Sequence, residues 1–482
     1  MDCITNAFAI EWRAFLSSSF LLSPFYLHLF PYHFSLFPLY FCHLFLAAMD
    51  LLFVAALSVF IVSFLTIVFE VFDKAIAAMA GALIMIFLGI LTFDQAIEAI
   101  DFETIGLLMG MMILVDLASS SGVFSWLNVK IARLTRGQPW LIFLLFIVVT
   151  FLFSAFLDNV TTMLIIVPVV LSLTKGMGLD SKFFLIALIL FSNIGGGLTL
   201  IGDPTNIIIG SAAKLSFNDF ITNLIIPISS VSIVLITLMG IFRWRSLKPT
   251  TGNLKQLFVS HLLIQKIEVQ FGQKALRPSF IAKVLIVLGL TILGFIFQPY
   301  IGVPVSVMAL SGAIVLLLMT TEHASVHDSL AKVEWPTLFF FAGLFIMVAG
   351  LKHVGLLEFI GNSIIGFSDD YLSLLLIVLW SSAIISMLLD NIPFVTVMVP
   401  IIFQVQPFLP TGVDPNMLWW ALSMGAVLGA CGTPIGSSAN VVSMGVAKRN
   451  GVHVSFIDYL KIGLPLTFVA LSIASVYFIL VV

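Results

Sequence analysis

Charge is what this sequence has least of. Asp, Glu, Lys and Arg make up 9% of its 482 residues, against 61% hydrophobic, where a soluble globular chain carries about 25% charged residues. That shortage excludes a soluble domain. With a mean hydropathy of +1.19 it also excludes disorder, which needs low hydrophobicity and high net charge. The net charge is only -3, so there is no basic field to hold nucleic acid. Cysteine is nearly absent as well. Cys3, Cys42 and Cys431 lie far apart, which leaves no metal-ligand spacing and no disulfide framework. No Gly-rich loop ending in Lys-Ser/Thr is present, so any ATP coupling must come from a partner. The scattered His and Cys residues supply no nucleophile or metal constellation for a membrane enzyme.

Long apolar runs fill the space that charge leaves. A transmembrane helix needs roughly 20 mostly apolar residues. Such stretches fall at about 50–70, 75–91, 103–118, 139–157, 160–174, 183–214 and 219–242, then at 278–297, 301–320, 335–350, 371–389, 392–408, 417–447 and 460–482. The pairs 139–157/160–174 and 371–389/392–408 are split only by an Asp-Asn dipeptide. No aqueous loop fits there, so each pair reads as a re-entrant hairpin. Non-helical backbone at that depth is tolerated where protein or a water cavity satisfies it. The stretches 183–214 and 417–447 carry Gly, Pro, Thr or Asn at their middles and read as broken helices.

With the hairpins counted as non-crossing, five spans remain in each half. The positive-inside rule tests that count. Lys74, Lys130, Arg133, Arg136, Lys175 and Lys182 then share one side with Lys332, Lys448, Arg449 and Lys461. The central loop adds Arg243, Arg245, Lys248, Lys255, Lys266, Lys274, Arg277 and Lys283 to that side. Of the 21 Lys and Arg residues only Lys214 and Lys352 fall opposite, with Arg13 left near the N-terminus. The expected layout is a hydrophobic segment 1–48, a first repeat 49–242, a cytoplasmic linker 243–283 and a second repeat 284–482. Segment 1–48 has three readings: an extra first span, an export signal, or upstream sequence read from a start before Met49. The export signal fits worst, because its apolar region should be short and end at a small-residue cleavage site. An extra span would put Arg13 inside.

The two halves repeat one another, an observation that decides the fold class. Asp101-Phe102-Glu103-Thr104 matches Glu334-Trp335-Pro336-Thr337. Ser154 through Asp158-Asn159 matches Ser386 through Asp390-Asn391, and Pro168 matches Pro400. Thr199 through Gly202-Asp203-Pro204-Thr205-Asn206 matches Thr433 through Gly436-Ser437-Ser438-Ala439-Asn440. Ser216-Phe217-Asn218-Asp219-Phe220 matches Ser455-Phe456-Ile457-Asp458-Tyr459. An odd number of crossings per repeat turns the second half upside down. The expected fold is thus an all-α polytopic membrane protein of two inverted repeats, each with a re-entrant hairpin and a broken helix. Secondary transporters built this way bind substrate and coupling ions near the midplane, at the interrupted helices.

The interruptions hold the candidate site. Asp158-Asn159 and Asp390-Asn391 mark the hairpin tips, where helix ends expose unpaired backbone groups. A carboxylate and an amide oxygen added there make a hard-oxygen site suited to Na⁺ or H⁺. An Asp at such a tip also serves as a helix N-cap. Two intramembrane acids at equivalent tips favour function, since such acids are costly and mark ion paths. Pro and Gly break the helix at Gly202-Asp203-Pro204, and the carbonyls freed there need partners. Asp203 has Ser437 as its counterpart, so the first half should bind a cation more strongly. Thr161, Asn193, Thr199, Asn206, Thr433 and Asn440 complete the candidate set. Gly195-Gly196-Gly197 reads as close helix packing. Glu103 and Asp116 are weaker candidates, and Cys431 reads as a small buried filler. No Lys or Arg adjoins the tips or breaks in sequence, which favours a cation or neutral solute over a multivalent anion.

At these motifs the chain resembles the ion transporter superfamily, and within it the arsenite permease/sodium–proton antiporter group, which is P-protein-like with a citrate-transporter-like domain. Leu157-Asp158-Asn159-Val160-Thr161-Thr162, Ser192-Asn193-Ile194-Gly195-Gly196, Ile201 through Asn206, Leu389-Asp390-Asn391-Ile392-Pro393 and Gly436 through Val442 carry the likeness. It covers about residues 50–480. It implies a scaffold domain and a mobile transport domain per protomer, in a homodimer. It also implies cation ligands at Asn159, Asn206, Asn391 and Asn440, with Asp203 beside them, for a possible bound Na⁺. Related dicarboxylate carriers have Ser-Asn-Thr at the tips, where this chain has Asp-Asn-Val and Asp-Asn-Ile, so the antiporter side fits better.

The reading is a secondary active transporter in the lipid bilayer, moving a small inorganic ion by alternating access. Cation–proton exchange at Asp158, Asp203 and Asp390 suits it, because burial and like-charge repulsion can bring a carboxylate's pKa toward neutrality. The alternatives are arsenite or small organic anion transport and, in a different class, a passive ion channel. A bacterial inner membrane is the expected location.

Overall fold

The computed structural model describes residues 51–481 apart from 70, 136–137, 243–277, 323–324, 366–369 and 411. Expectations for the segment 1–48, with Arg13, and for most of the linker 243–283 lie outside the described residues. The chain divides into two units, Met1–Val54 and Ala55–Val482. Of the first, only residues 51–54 are described.

Ten helices make up the first half of the described chain. They are α1 Leu51–Val68, α2 Lys74–Phe87, α3 Phe93–Glu98, α4 Phe102–Ser121, α5 Val123–Leu134, α6 Pro139–Phe156, α7 Asn159–Gly176, α8 Ser181–Gly196, α9 Pro204–Ala213 and α10 Phe217–Phe242. The same order of long, short and broken elements returns in the second half. It runs α11 Pro278–Ile301, α12 Val305–Thr320, α13 Val326–Ala331, α14 Trp335–His353, α15 Leu356–Ile365, α16 Tyr371–Leu388, α17 Asn391–Val405, α18 Met417–Ala430, α19 Ser438–Arg449 and α20 Phe456–Val481. Each helix of the first half thus has a counterpart ten places later.

Local chemistry sets these boundaries. Asp101, Asp180 and Asp370 cap α4, α8 and α16 by accepting from backbone N–H groups of the first turn, which satisfies donors that the helix itself leaves unpaired. Gly122 ends α4 in the left-handed conformation, at φ 81°, which a residue without a Cβ adopts freely.

Among the described residues ten helices are long and apolar enough to cross a membrane. They include the four hairpin arms α6, α7, α16 and α17, the last extended by a 3₁₀ turn to Phe408. The shorter apolar helices are α2, α8, α12 and α18. The ten chosen by length are therefore not the ten spans counted from sequence. The broken segments appear as two helices each, and α2 and α12 have 14 and 16 residues, about 21–24 Å at 1.5 Å per residue. The short helices α3, α5, α13 and α15 fall between the apolar stretches. Polar and charged residues such as Lys130 and Glu358 interrupt their apolar positions, so hydropathy alone does not mark them.

The packing pairs the halves reciprocally. Helix α4 lies on α12, and α14 lies on α2. Helix α7 lies against α19, and α17 against α9. Glycine permits the first two contacts. A Cβ on Gly110 would stand 2.7 Å from the Ala309 carbonyl carbon, and one on Gly343 would stand 2.7 Å from that of Ala78. Backbone meets backbone at both places, which small residues make possible in membrane helix pairs.

Candidate functional site

Each hairpin turns within two residues. Asp158 and Asp390 take extended conformations and cap the second arms, α7 and α17. Asp158 accepts from Thr161 N at 2.9 Å, and Asp390 accepts from Ile392 N at 3.3 Å. The capping role expected for these residues is therefore present at both tips. Capping uses one carboxylate oxygen and leaves the other for a different partner.

Each broken segment turns into its second helix at an equally short cap. Asp203 caps α9 by accepting from Thr205 N at 2.9 Å, and Ser437 caps α19 by accepting from Ala439 N at 3.2 Å. Asp203 also accepts from Thr205 Oγ1 at 2.6 Å. Its second oxygen accepts from Asn159 Nδ2 at 2.9 Å. The first hairpin tip is thereby joined to the first break. Helices α8 and α9 have 16 and 10 residues on either side of that break, so the tip meets the broken segment partway along its length. Asn159 is 4% exposed and Asp203 is 3% exposed. A buried carboxylate needs such donors, because burying an ion without them is costly.

The loops between the broken helices are tied down in the same way twice. Thr199 donates its hydroxyl to the Ala155 carbonyl, and Thr433 donates to that of Met387. Asn206 Nδ2 donates to the carbonyls of Gly196, Gly197 and Thr199. Asn440 Nδ2 donates to those of Ala430 and Thr433. The amide oxygens reach across to the other half. Asn206 Oδ1 accepts from Ser423 Oγ at 2.6 Å, and Asn440 Oδ1 accepts from Asn193 Nδ2 at 2.8 Å. These asparagines satisfy carbonyls that a broken helix cannot satisfy itself.

A cavity of about 420 Å³ lies in front of the tips and breaks. Asp158, Asn159, Thr161, Asp203, Asp390, Asn391 and Ser437 line it. The remaining candidates, Asn193, Thr199, Gly202, Asn206, Thr433 and Asn440, are absent from its wall. The structure thus separates the sequence-derived set into a lining group and a group behind it. Asn206 and Asn440, which the resemblance implies as cation ligands, have both ends of their amides committed to protein partners. Oxygen atoms converge instead beside Gly196, where a Cβ would meet Asn159 Oδ1 and would stand 3.0 Å from the Gly202 carbonyl oxygen. Ser154 donates to the same Asn159 Oδ1. Among the described residues no three His, Cys, Asp or Glu side chains come together to hold a metal.

Residues 64–425 match the family model described as "Citrate transporter". The chain belongs to the citrate transporter family. An uncharacterized transporter of Mycobacterium tuberculosis is 36% identical over 88% of this chain and 97% of its own length. The P protein of Homo sapiens is 33% identical over 85% of this chain. The chain spans 58% of that protein's length. The YdaH transporter of Alcanivorax borkumensis has a similar fold, with a TM-score of 0.54 at 16% identity, covering 80% of this chain and 87% of its own. The protein is therefore an integral, multi-pass membrane transporter, in agreement with the ten membrane-length helices among its described residues. Its mycobacterial relatives accord with a bacterial inner membrane.

Several residues of this transporter's cavity had no local sequence signal. Lys74 and Lys332 line the cavity, although no basic residue adjoins a tip or break in sequence, and Glu334 from the repeated Glu-Trp-Pro-Thr stretch joins them. Lys74 comes from α2 and reaches Ser438 Oγ at 3.4 Å. Lys332 pairs with Asp116 at 3.0 Å, which gives that weaker candidate a partner from the other half. Ser154 was legible, since it opens the repeated stretch ending in Asp-Asn. Glu103 lies apart from this cavity, beside a smaller one of about 220 Å³ shared with Lys214 and Gln298. Cys431 is buried, and its sulfur lies 3.7 Å from the carbonyl oxygens of Leu190 and Val427, as a packing residue would. Gly195 sits against the backbone of Phe151, so close packing accounts for it.

Proposed function

We propose that this transporter exchanges a monovalent cation, Na⁺ in the first instance, for protons by alternating access. The observation that carries the reading is the convergence of Asp158, Asp203 and Asp390 on one cavity, with Asp203 held by the hairpin amide of Asn159. Three acids facing a shared cavity can trade a proton for a metal cation. Asn159, Asp203 and the Gly202 carbonyl form the first-half cation site in this reading, and Asn391 and Asp390 stand at the second. Asn206 and Asn440 hold the breaks in shape. The boundaries 49–242 and 284–482 are taken as two inverted repeats in a homodimer. The positive-inside rule makes the side of Lys74 and Lys332 cytoplasmic, so the cavity at the tips faces inward and the one beside Lys214 faces out.

A second reading is transport of a small organic anion or arsenite. The description of the family favours it, and so do Lys74 and Lys332 in the cavity wall. Everted vesicles from an antiporter-deficient host separate the two. A preformed pH gradient should collapse on addition of Na⁺, Li⁺ or K⁺, and the response should be lost in Asp158→Asn and Asp203→Asn. No collapse with the protein present in the membrane overturns cation exchange. Uptake of labelled citrate or arsenite in the same vesicles would then establish the second reading.

A further inference from the structure

The two hairpin tips are not electrostatically alike. At the first, Asp158 and Asp203 contribute two carboxylates to the cavity wall. At the second, Ser437 stands in place of Asp203, so Asp390 is the only acid of the pair. Asp390 Oδ2 accepts from Ser438 Oγ at 3.0 Å, and the same hydroxyl lies 3.4 Å from Lys74 Nζ. Lys74 is the first residue of α2. The corresponding first residue of α12 is Val305, so that position brings no such ammonium to the first tip.

Lys74 also meets an aromatic face. Its ammonium sits 5.4 Å from the centre of the Phe340 ring, within the range of a cation–π attraction. Asp73 caps α2 by accepting from Ala75 N at 2.9 Å, which fixes the helix start from which Lys74 extends. The cavity's other lysine is engaged elsewhere, since Lys332 pairs with Asp116. Glu334, the remaining acid in the wall, accepts from Thr337 Oγ1 at 3.1 Å. Lys74, Ser438 and Asp390 also line a neighbouring cavity of about 880 Å³, so the triad stands on the partition between the two spaces.

We propose that Lys74 is a tethered counter-ion that occupies the cation position of the second tip, leaving the first tip to take the exchangeable cation. The inference rests on the cation-exchange reading and adds the selectivity of its second site. The lysine belongs to α2, which packs on α14, whereas Ser438 and Asp390 belong to the broken helix and the hairpin. Movement of the hairpins relative to α2 would make or break this link.

Equilibrium binding of ²²Na⁺ to the purified full-length protein tests the proposal. Wild type should bind a single Na⁺ per protomer, and Asp203→Asn should abolish it. Lys74→Gln should bind a second Na⁺, and Lys74→Gln with Asp390→Asn should lose that second ion. Lys74→Arg keeps the charge and should retain wild-type stoichiometry. Wild-type binding with unchanged stoichiometry in Lys74→Gln overturns the Lys74 assignment alone. No alkali-cation binding by wild type or variants overturns the cation reading itself. Should Lys74→Gln prove unstable, a second ion bound by Lys74→Arg overturns the proposal. A thermal-melt cycle over Lys74→Gln and Asp390→Asn then reads the pair directly. Coupled losses support the link, and additive losses refute it.

Discussion

Asn159 Nδ2 donates to Asp203 Oδ2 across 2.9 Å, and this bond joins the first hairpin tip to the first helix break. The corresponding second-half residues, Asn391 and Ser437, form no such bond. One half therefore has its tip cross-linked to its break through a carboxylate, and the other half lacks that link. The asymmetry comes from a single repeat position, Asp203 against Ser437.

Asp203→Asn removes the charge but keeps an N-cap, since Asn caps as well as Asp. Its new NH₂ meets the Asn159 donor where Oδ2 accepted before, so the protein should fold but melt lower, by a loss of about 1–3 kcal/mol. Na⁺-dependent collapse of a pH gradient should fall at least about tenfold, equivalent to about 1.4 kcal/mol. Wild-type exchange in this variant would remove Asp203 from the site.

Asn206→Asp replaces a donor that serves three carbonyls with an acceptor. Leaving buried carbonyls unpaired costs about 1–3 kcal/mol, so the melting temperature in detergent should drop clearly. Asn440→Asp should behave alike, because Ala430 and Thr433 lose the same donor. An unchanged melt would mean that other groups satisfy these carbonyls.

Gly202→Ala places a Cβ 2.6 Å from the Gly196 carbonyl oxygen and 2.7 Å from that of Ser154. Backbone on both sides cannot yield cheaply, so expression and exchange should both suffer. Gly445→Ala is the control, since a Cβ there meets nothing within 4 Å. In a helix interior that change should stabilise by up to about 1 kcal/mol. Equal effects of the two substitutions on melting would refute the close approach at Gly202.

Lys332→Gln separates the two transport readings by sign. The Lys332 side chain is 54% exposed and that of Asp116 is 17% exposed, so the pair contributes only about 0–1 kcal/mol to stability. Losing a positive charge from the cavity wall should lower the half-maximal Na⁺ concentration. The same loss should raise the KM of a small anion. A shift of about two- to threefold corresponds to roughly 0.5 kcal/mol, and its direction is read from vesicle assays at low ionic strength.

Much of this architecture was written in residues that any reader can align. The Asp-Asn tips, the Gly-Asp-Pro break and its Gly-Ser-Ser counterpart in the second half located both hairpins and both broken helices. Hydropathy found the long helices for the same reason, because lipid demands continuous apolar runs. The short helices α5 and α15 escaped it, since mixed polar and apolar residues give no such run.

Sequence by itself determined the membrane class, the repeat and the positions where helices must break, because apolar length, Pro and Gly act locally. Only the tertiary structure decided which side chains face the cavity. Asn206 and Asn440 turn away to satisfy carbonyls freed at the breaks, a demand that appears only once the loop has a shape. Lys74 reaches Ser438, 364 positions away along the chain, because α2 packs on α14 and carries its first residue to the second tip. Contacts between elements so distant in the chain leave no periodicity or spacing in the sequence from which they could be read.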